Sequence, residues 1–285
     1  FQATPIVVDG IMYVSLPFNH VIALNAKTGQ ELWRYKHDRR ADWPMCCGPA
    51  NRGVAVGYGK VFMGTVDSRL IALDAKTGQK LWDINAVENA VITEGQESLN
   101  QNDPNSKAKT TGGTGVGMAM APVVYKGKVI IGITGVGYGL HIDNPREDAP
   151  LGAVIGVTGR YGRPGFLAAF DVNTGKRVWQ FDTIPTQGWE GQFKATTDDG
   201  ISLNRDVAAE KASLAKFPDS ARFGGGSAWS TPAIDPKLGL LYFGTGNPSP
   251  QMNDLSRPGD NLYRFFGRFR CRVGQAPLVL PASAA

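Results

Sequence analysis

An eleven-residue pattern recurs three times in this chain and constrains its fold more than any other feature. The pattern reads A-x-D/N-x-x-T-G-x-x-x-W and covers residues 23–33, 72–82 and 169–179. Each copy predicts an apolar strand, a tight turn whose glycine adopts positive φ, and a second strand that ends near tryptophan. The three turn glycines are Gly29, Gly78 and Gly175.

A second recurring piece lies upstream of these hairpins. It reads as strand, turn, strand, and it occurs at residues 4–13, 52–61, 121–129 and 231–240. The two pieces together supply four antiparallel strands in about 45 to 50 residues, which is the size of one propeller blade. The sequence therefore predicts an all-β fold, a β-propeller, of which this chain supplies about four blades.

Two stretches interrupt this pattern. Residues 139–165 separate the first strands of the third blade from its hairpin, and we expect part of them to be an insertion. Residues 206–217 have helix-forming composition within a long polar excursion, which we interpret as a loop ornament on a blade.

The repeat ends near residue 263. We therefore predict a propeller domain over residues 1–263 and an aberrant, poorly ordered tail over residues 264–285. The chain has no run of about 18 apolar residues, so the sequence predicts no membrane span. The chain opens directly in a strand without a signal peptide, and we interpret Phe1 as a start inside a domain.

The net charge of +5 does not indicate a nucleic-acid-binding protein. The tail carries four arginines and no acidic residue, and without it basic and acidic residues nearly balance. An electrostatic footprint for nucleic acid is therefore missing. The three histidines His20, His37 and His141 are scattered, so the sequence gives no support to a zinc site or a Ser-His-Asp triad.

Cys46 and Cys47 are adjacent, which leaves two interpretations open. Neighbouring cysteines can form a disulfide only in a strained eight-membered ring, which needs support from its surroundings. The alternative is a pair of free buried thiols.

Several motifs, in this order along the chain, resemble those of the quinoprotein alcohol dehydrogenases. These motifs are the tryptophan hairpins, Cys46-Cys47 followed by Asn51-Arg52-Gly53, the run 224–229, and the segments 244–250 and 257–261. Members of that family are periplasmic enzymes that hold pyrroloquinoline quinone (PQQ) on the axis of an eight-bladed propeller. The resemblance covers about residues 1–263.

The resemblance implies a cofactor site. A disulfide between Cys46 and Cys47 would cover one face of the quinone and Trp229 the other, while Arg52 would meet its carboxylate and quinone oxygens. Ser227 and Thr134 would offer hydroxyls, and a glycine run would let the backbone come close. The cofactor-binding residues implied are Cys46, Cys47, Arg52, Thr134, Gly135, Gly226, Ser227 and Trp229.

The family also holds a calcium or lanthanide ion beside the quinone. Asn247 matches its asparagine ligand, but the glutamate ligand position carries Gly137 or Arg160, depending on the alignment. A usual glutamate near the start is Gln2, and a usual threonine is Ala119. Losing an anionic ligand weakens a hard-cation site, so Ca2+ binding is expected to be impaired.

The resemblance implies PQQ-dependent oxidation of an alcohol, with electrons passed to a cytochrome c or quinone acceptor in the periplasm. The family's catalytic aspartate lies beyond the matched region, so no catalytic residue is assigned, and we expect the isolated chain to be inactive. The rival hypothesis is a non-enzymatic propeller scaffold of the outer-membrane assembly lipoprotein type. A scaffold would have no need of the cluster of Cys46, Cys47 and Arg52.

Overall fold

The computed structural model describes most of the repeated region of the chain. The described residues are 2–38, 51–66, 68–87, 108–110, 117–133, 141–143, 165–183, 195–196, 200–202, 204, 206–216, 226–246, 266–270 and 278–280. For the strands at 108–110, 141–143, 266–270 and 278–280, the backbone alone is considered.

Four antiparallel sheets of four strands each make up the described architecture. Blade 1 contains β1 (Ile6–Val8), β2 (Ile11–Leu16), β3 (His20–Asn25) and β4 (Glu31–Tyr35), with a short 3-10 helix at Pro17–Asn19. Blade 2 contains β5 (Ala55–Gly57), β6 (Lys60–Gly64), β7 (Arg69–Asp74) and β8 (Lys80–Asn85).

The other two blades depart slightly from this simple order. A two-stranded sheet pairs β9 (Ala108–Thr110) with β12 (His141–Asp143). Blade 3 contains β10 (Val123–Tyr125), β11 (Lys128–Ile133), β13 (Phe166–Asp171) and β14 (Arg177–Asp182). After α1 (Val207–Lys216), blade 4 contains β15 (Ala233–Asp235), β16 (Leu240–Gly244), β17 (Phe266–Arg270) and β18 (Leu278–Leu280).

This architecture confirms the prediction of an all-β propeller with about four blades. The interruption of blade 3 is confirmed as well, because β11 pairs directly with β13, while β12, which lies between them in the chain, pairs with β9 instead. The predicted helix is present as α1, where Asp206 Oδ1 accepts a hydrogen bond from the Ala209 amide at 2.9 Å.

Part of the predicted tail belongs to blade 4. The strands 266–270 and 278–280 extend the sheet, and β16 pairs with β17 along its whole length. Because an exposed strand edge leaves backbone donors and acceptors unpaired, this pairing satisfies the edge of β16. These two segments therefore form strands of the sheet, while the domain boundary at residue 263 and the poor order of the tail stay predictions.

Alternate side chains on each sheet face the neighbouring blades. Tyr13, Val21, Ala23 and Trp33 of blade 1 form one core cluster with residues of blade 2. The blade 2 members on the strands are Val61, Met63, Ile71 and Leu73. A larger cluster joins the opposite face of blade 2 to blades 3 and 4. The hydrophobic core therefore lies between the blades, as expected for sheets that cannot bury a face alone.

The predicted hairpin turns share one set of hydrogen bonds. In each turn an aspartate or asparagine side chain accepts hydrogen bonds from the amides two and three residues later. The amide of the turn glycine donates a hydrogen bond to the backbone carbonyl of the same aspartate or asparagine. The side chains that organise the turns are Asn25, Asp74 and Asp171. The glycines have φ of 75°, 73° and 68°, which confirms the predicted positive φ.

Tryptophans from two blades dock on the turn of the next blade. The indole of Trp33 donates a hydrogen bond to the carbonyl of Ala75 at 3.0 Å, and its ring covers Gly78. Trp82 does the same to the carbonyl of Val172 at 3.2 Å, with its ring near Gly175. Each docked tryptophan therefore fixes the position of one blade relative to the next.

Strand direction gives the propeller two chemically different ends. In each blade the first strand leads into a short turn, so the described turns between first and second strands, and between third and fourth strands, lie at one end. The segments that enter each first strand or leave each second strand lie at the other end. Arg52, Trp229 and Gly246 belong to such segments, and the fold brings them to the same end.

Candidate functional site

Arg52 is held by its backbone and by the side chain next to it. Its amide donates to the Ala119 carbonyl at 3.0 Å, and its carbonyl accepts the Thr4 amide at 3.3 Å. The buried side chain of Asn51 donates to the Gly64 carbonyl and accepts the Gly53 amide, both at 2.9 Å. These four bonds direct the arginine side chain without engaging its guanidinium.

The segment that carries Trp229 is fixed against blades 3 and 4. The Ala228 amide donates to the Ile133 carbonyl at 3.1 Å, and the Gly246 amide donates to the Ser227 carbonyl at 2.6 Å. The hydroxyl of Thr183 lies 2.6 Å from the Gly226 carbonyl. Residues 226–229 are thus attached to the ends of three strands that are remote in sequence.

Three glycines permit this close approach. A Cβ at Gly132 would collide with the Ala228 backbone, and a Cβ at Gly165 would collide with that of Gly226. At Gly246, a Cβ would lie 3.0 Å from the indole nitrogen of Trp229. Gly132 and Gly165 therefore require glycine because backbone lies opposite them, whereas a side chain at Gly246 would press on the indole.

Arg52 and Trp229 meet although they are far apart in sequence. The guanidinium carbon of Arg52 lies 5.5 Å from the centroid of the Trp229 ring, within the range of a cation–π interaction. The neighbouring Ser227 and Ala228 are buried, whereas Trp229 is 38% exposed. The result is an accessible indole with a guanidinium over its ring.

This arrangement fits a planar anion with several carboxylates. A flat ring system can stack on the exposed indole, and a guanidinium offers paired donors to carboxylate or quinone oxygens. Of the predicted cofactor-binding residues, the structure brings together Arg52, Gly226, Ser227 and Trp229. The others, Cys46, Cys47, Thr134 and Gly135, lie outside the described residues.

The predicted metal site receives no support from the part of the chain that the structure describes. Asn247, Gly137 and Arg160 lie outside that part, and the described residues contain no group of three or more His, Cys, Asp or Glu side chains placed to hold a metal. Ala119 presents only a backbone carbonyl, which already accepts the Arg52 amide. Whether the chain holds a calcium ion therefore stays a prediction.

His20 anchors the chain where it leaves blade 1 toward Cys46. Its Nδ1 accepts the backbone amide of His37 at 3.1 Å, which requires this nitrogen to be unprotonated. Burial lowers the pKa of His20, and the nearby Lys36, His37 and Arg34 lower it further. The lowered pKa keeps the imidazole neutral and the hydrogen bond intact at neutral pH.

Some residues that shape the site carry no signal of their own in the sequence. Thr183, Gly132 and Gly165 act only through contacts with residues 226–228, which are more than 40 positions away along the chain. Asn51 lies inside a recognised motif, but its two backbone hydrogen bonds depend on the path of blade 2. A pattern search could have suggested Asn51 alone.

The comparisons with known proteins agree with this fold. Residues 1–264 match the family described as glucose/ethanol/alcohol dehydrogenase, beta-propeller domain. Quinohemoprotein alcohol dehydrogenase ADH IIB from Pseudomonas putida is 36% identical over 92% of this chain. The lanthanide-dependent methanol dehydrogenase of Methylorubrum extorquens is 32% identical, also over 92%.

Solved structures give the same result. The crystal structure of quinohemoprotein alcohol dehydrogenase from Comamonas testosteroni matches 94% of this chain with a TM-score of 0.61 and 30% identity. A europium-containing methanol dehydrogenase matches 98% with a TM-score of 0.60 and 26% identity. The chain spans 30% of the length of the Pseudomonas putida relative and 32% of the Comamonas testosteroni chain.

The fold and the matched region define a propeller of the quinone-dependent dehydrogenase class. The chain belongs to the glucose/ethanol/alcohol dehydrogenase beta-propeller family. These relatives do not favour the scaffold hypothesis, since their names are those of dehydrogenases. No described helix is both long and apolar enough to cross a membrane.

Proposed function

We propose that this chain forms part of a PQQ-dependent alcohol dehydrogenase and binds the quinone at the end of the propeller that carries Arg52 and Trp229. The observation that supports this most directly is the Arg52 guanidinium 5.5 Å from the ring of an accessible tryptophan. The family match over residues 1–264 supports the same assignment.

In this proposal, different described residues stack on the quinone, bind its oxygens and position the stacking residue. The exposed face of Trp229 receives the flat ring system, and Arg52 neutralises and orients its oxygens. Gly132, Gly165 and Thr183 set the depth of Trp229 by fixing residues 226–228. A bound quinone supplies the two-electron acceptor for alcohol oxidation. In this proposal Cys46 and Cys47 form the opposite wall as a vicinal disulfide, and Thr134 and Gly135 contribute at the edge.

The proposal includes partners and a location. Electrons pass from the site to a cytochrome c or quinone acceptor, and the protein works in the periplasm, where a disulfide between Cys46 and Cys47 can persist. Because the chain spans only 30% of the length of its Pseudomonas putida relative, we propose that the chain alone binds the quinone and does not turn over alcohol.

Quinone binding is the first test. Equilibrium dialysis of the purified chain with PQQ should show binding that falls at least tenfold in Trp229→Ala. Arg52→Gln should lose about as much, whereas Arg52→Lys should lose less, because it keeps the charge but not the planar fork. Trp179→Phe, on the outer strand of blade 3, is the matched control and should bind normally. Equal retention by all four variants would refute the site.

Turnover is tested separately. Dye reduction is measured with a panel of primary and secondary alcohols, with PQQ and with either Ca2+ or a lanthanide. No turnover together with quinone binding agrees with the proposal. Turnover by the isolated chain would contradict the proposal that this chain alone does not oxidise alcohol. Absence of both quinone binding and turnover would favour the scaffold hypothesis.

A further inference from the structure

The end of the propeller opposite Arg52 and Trp229 forms a second surface, which we call the turn face. It consists of the turns between first and second strands and between third and fourth strands. These turns cover residues 9–10, 58–59, 126–127 and 236–239, and residues 26–30, 75–79 and 172–176. Since β11 has six residues, the turn face lies about 20 Å from the candidate site.

The turn face is strongly basic. Its seven turns carry five lysines, all exposed, and a single carboxylate, that of Asp9. The lysines are Lys27, Lys76, Lys126, Lys176 and Lys237. Residues at the bordering strand ends balance in charge, with Lys60, Lys80, Lys128 and Arg177 against Glu31, Asp74, Asp171 and Asp235. The turn lysines therefore dominate the electrostatic potential of this end.

Three of the four bordering carboxylates are engaged inside the turns, and the fourth, Glu31, pairs with Arg34. The side chains of Asp74 and Asp171 accept turn amides and a threonine hydroxyl, and that of Asp235 accepts the amides of Lys237 and Leu238 at 2.9 Å. Their oxygens consequently point into the turns, while the lysine side chains extend outward.

Contacts between blades hold the turns in one array. The Gly127 amide of blade 3 donates to the hydroxyl of Tyr58 in blade 2 at 2.9 Å. Lys60 of blade 2 donates to the side chain of Asn173 in blade 3 at 3.0 Å. The turn lysines therefore project from a supported surface rather than from independent loops.

Apolar and amphipathic side chains stand among these lysines. Tyr58 is 58% exposed and Leu238 is 59% exposed, each at the tip of a turn between first and second strands. Tyr58 and Lys126 have φ of 54° and 45° at turn positions that favour Asn, Asp or Gly. The chain therefore accepts strained backbone to present an aromatic ring and a lysine at these tips.

We propose that the turn face binds the surface of an anionic lipid bilayer. Clustered lysines are attracted to acidic headgroups, and tyrosine and leucine at the same level can enter the headgroup region. An acidic protein would match the charge alone, whereas a bilayer also accounts for Tyr58 and Leu238. The candidate site would then face away from the membrane.

Vesicle binding tests this proposal with the whole chain. Co-sedimentation is measured with vesicles of phosphatidylcholine alone and of phosphatidylcholine with phosphatidylglycerol, at low and high salt. We expect binding to the anionic vesicles only, with about a fivefold loss for each turn lysine changed to glutamine. Lys76→Gln and Lys176→Gln are the test variants, and the double variant should lose about 25-fold. Lys36→Gln makes the same charge change at the opposite end of β4, away from the turn face, and should leave binding unaltered.

A variant of the exposed leucine separates a lipid surface from an acidic protein. Leu238→Ser should weaken vesicle binding but leave retention on immobilised polyglutamate unchanged. Several results would overturn the proposal: equal binding to neutral vesicles, equal losses in the Lys36→Gln control, or polyglutamate retention without vesicle binding. The last would identify an acidic protein as the partner. None of these outcomes depends on PQQ binding, so this proposal can fail while the proposed function stands.

Discussion

The hairpin turn of blade 1 and those of blades 2 and 3 are built alike but are covered differently. Asn25 organises its turn through the same backbone bonds as Asp74 and Asp171. Gly78 is covered by Trp33 and Gly175 by Trp82, whereas nothing lies within 4 Å of a Cβ built at Gly29. The conformation of the turn is therefore set locally, and docking of tryptophan is a separate tertiary contribution.

Removing a docked tryptophan should have the largest effect. Trp33 is 8% exposed and packs with Tyr13 at a ring-centroid distance of 5.9 Å. We expect Trp33→Ala to lower the free energy of unfolding by about 4 kcal/mol, because it opens a cavity between two blades. Urea unfolding followed by circular dichroism measures this loss. Leu32→Ala, at an exposed neighbour, should cost less than about 1 kcal/mol; equal losses would mean that the tryptophan is not docked.

Alanine at the turn glycines tests the comparison directly. Gly78→Ala combines positive φ with a Cβ only 2.5 Å from the Trp33 ring, so we expect a loss of about 3 kcal/mol. Gly29→Ala has the same positive φ and open space, so it should lose about 1 kcal/mol. The difference between the two urea midpoints measures the docking contact. If the two variants are equally destabilised, strain in the turn accounts for the whole loss of stability, and docking of the tryptophan does not contribute to it.

The same distinction explains how much could be predicted from the sequence. The repeated pattern was sufficient to predict the blades, the positive φ at Gly29 and the interruption before residue 165, because all of these depend on local sequence. The approach of residues 226–228 to Gly132 and Gly165 was not predictable, since no periodicity records what lies opposite a glycine. Likewise, nothing in the pattern indicated that one strand of the tail, β17, would pair with β16 and a second, β18, with β17.

Some residues of the candidate site could likewise be identified from the sequence, and others could not. Arg52 and Trp229 were identified through the family resemblance, and the structure brings them together. Thr183 was not identified, because a hydroxyl that holds the Gly226 carbonyl at 2.6 Å leaves no motif. The role of Ala75 was also missed, since a backbone carbonyl accepts a hydrogen bond whatever its side chain. Sequence patterns thus report side-chain chemistry better than the backbone contacts that position it.

A smaller effect is expected from the second donor at the first docking contact. The Ala75 carbonyl accepts hydrogen bonds from both Trp33 and Tyr13, each at 3.0 Å, whereas blade 2 has Phe62 in the place of Tyr13. We expect Tyr13→Phe to cost about 1 kcal/mol, since the carbonyl keeps one donor.

The pKa of Tyr13 allows the same variant to be tested through the pH dependence of stability. Burial raises this pKa, and the carboxylates of Asp9 and Asp74 raise it further. The unfolded chain ionises first at this position, so the wild type should lose stability as the pH rises above about 10. That alkaline loss should be smaller in Tyr13→Phe. An unchanged pH profile would show that Tyr13 does not titrate differently in the folded state.

The smallest expected effect concerns acid, and it uses the natural difference between the turns. Backbone and side-chain hydrogen bonds from Thr77 lower the pKa of Asp74, and those from Thr174 lower the pKa of Asp171. A lowered carboxyl pKa stabilises the fold above the ordinary value of about 3.9, and this stabilisation is lost as the pH falls through the lowered pKa. Asn25 makes the corresponding turn bonds in blade 1 without a titrating group. We therefore expect Asp74→Asn with Asp171→Asn to lose less than about 1 kcal/mol at pH 7 and to show a flatter decline in the urea midpoint between pH 5 and pH 2. A decline as steep as in the wild type would place the acid-sensitive groups elsewhere than in these turns.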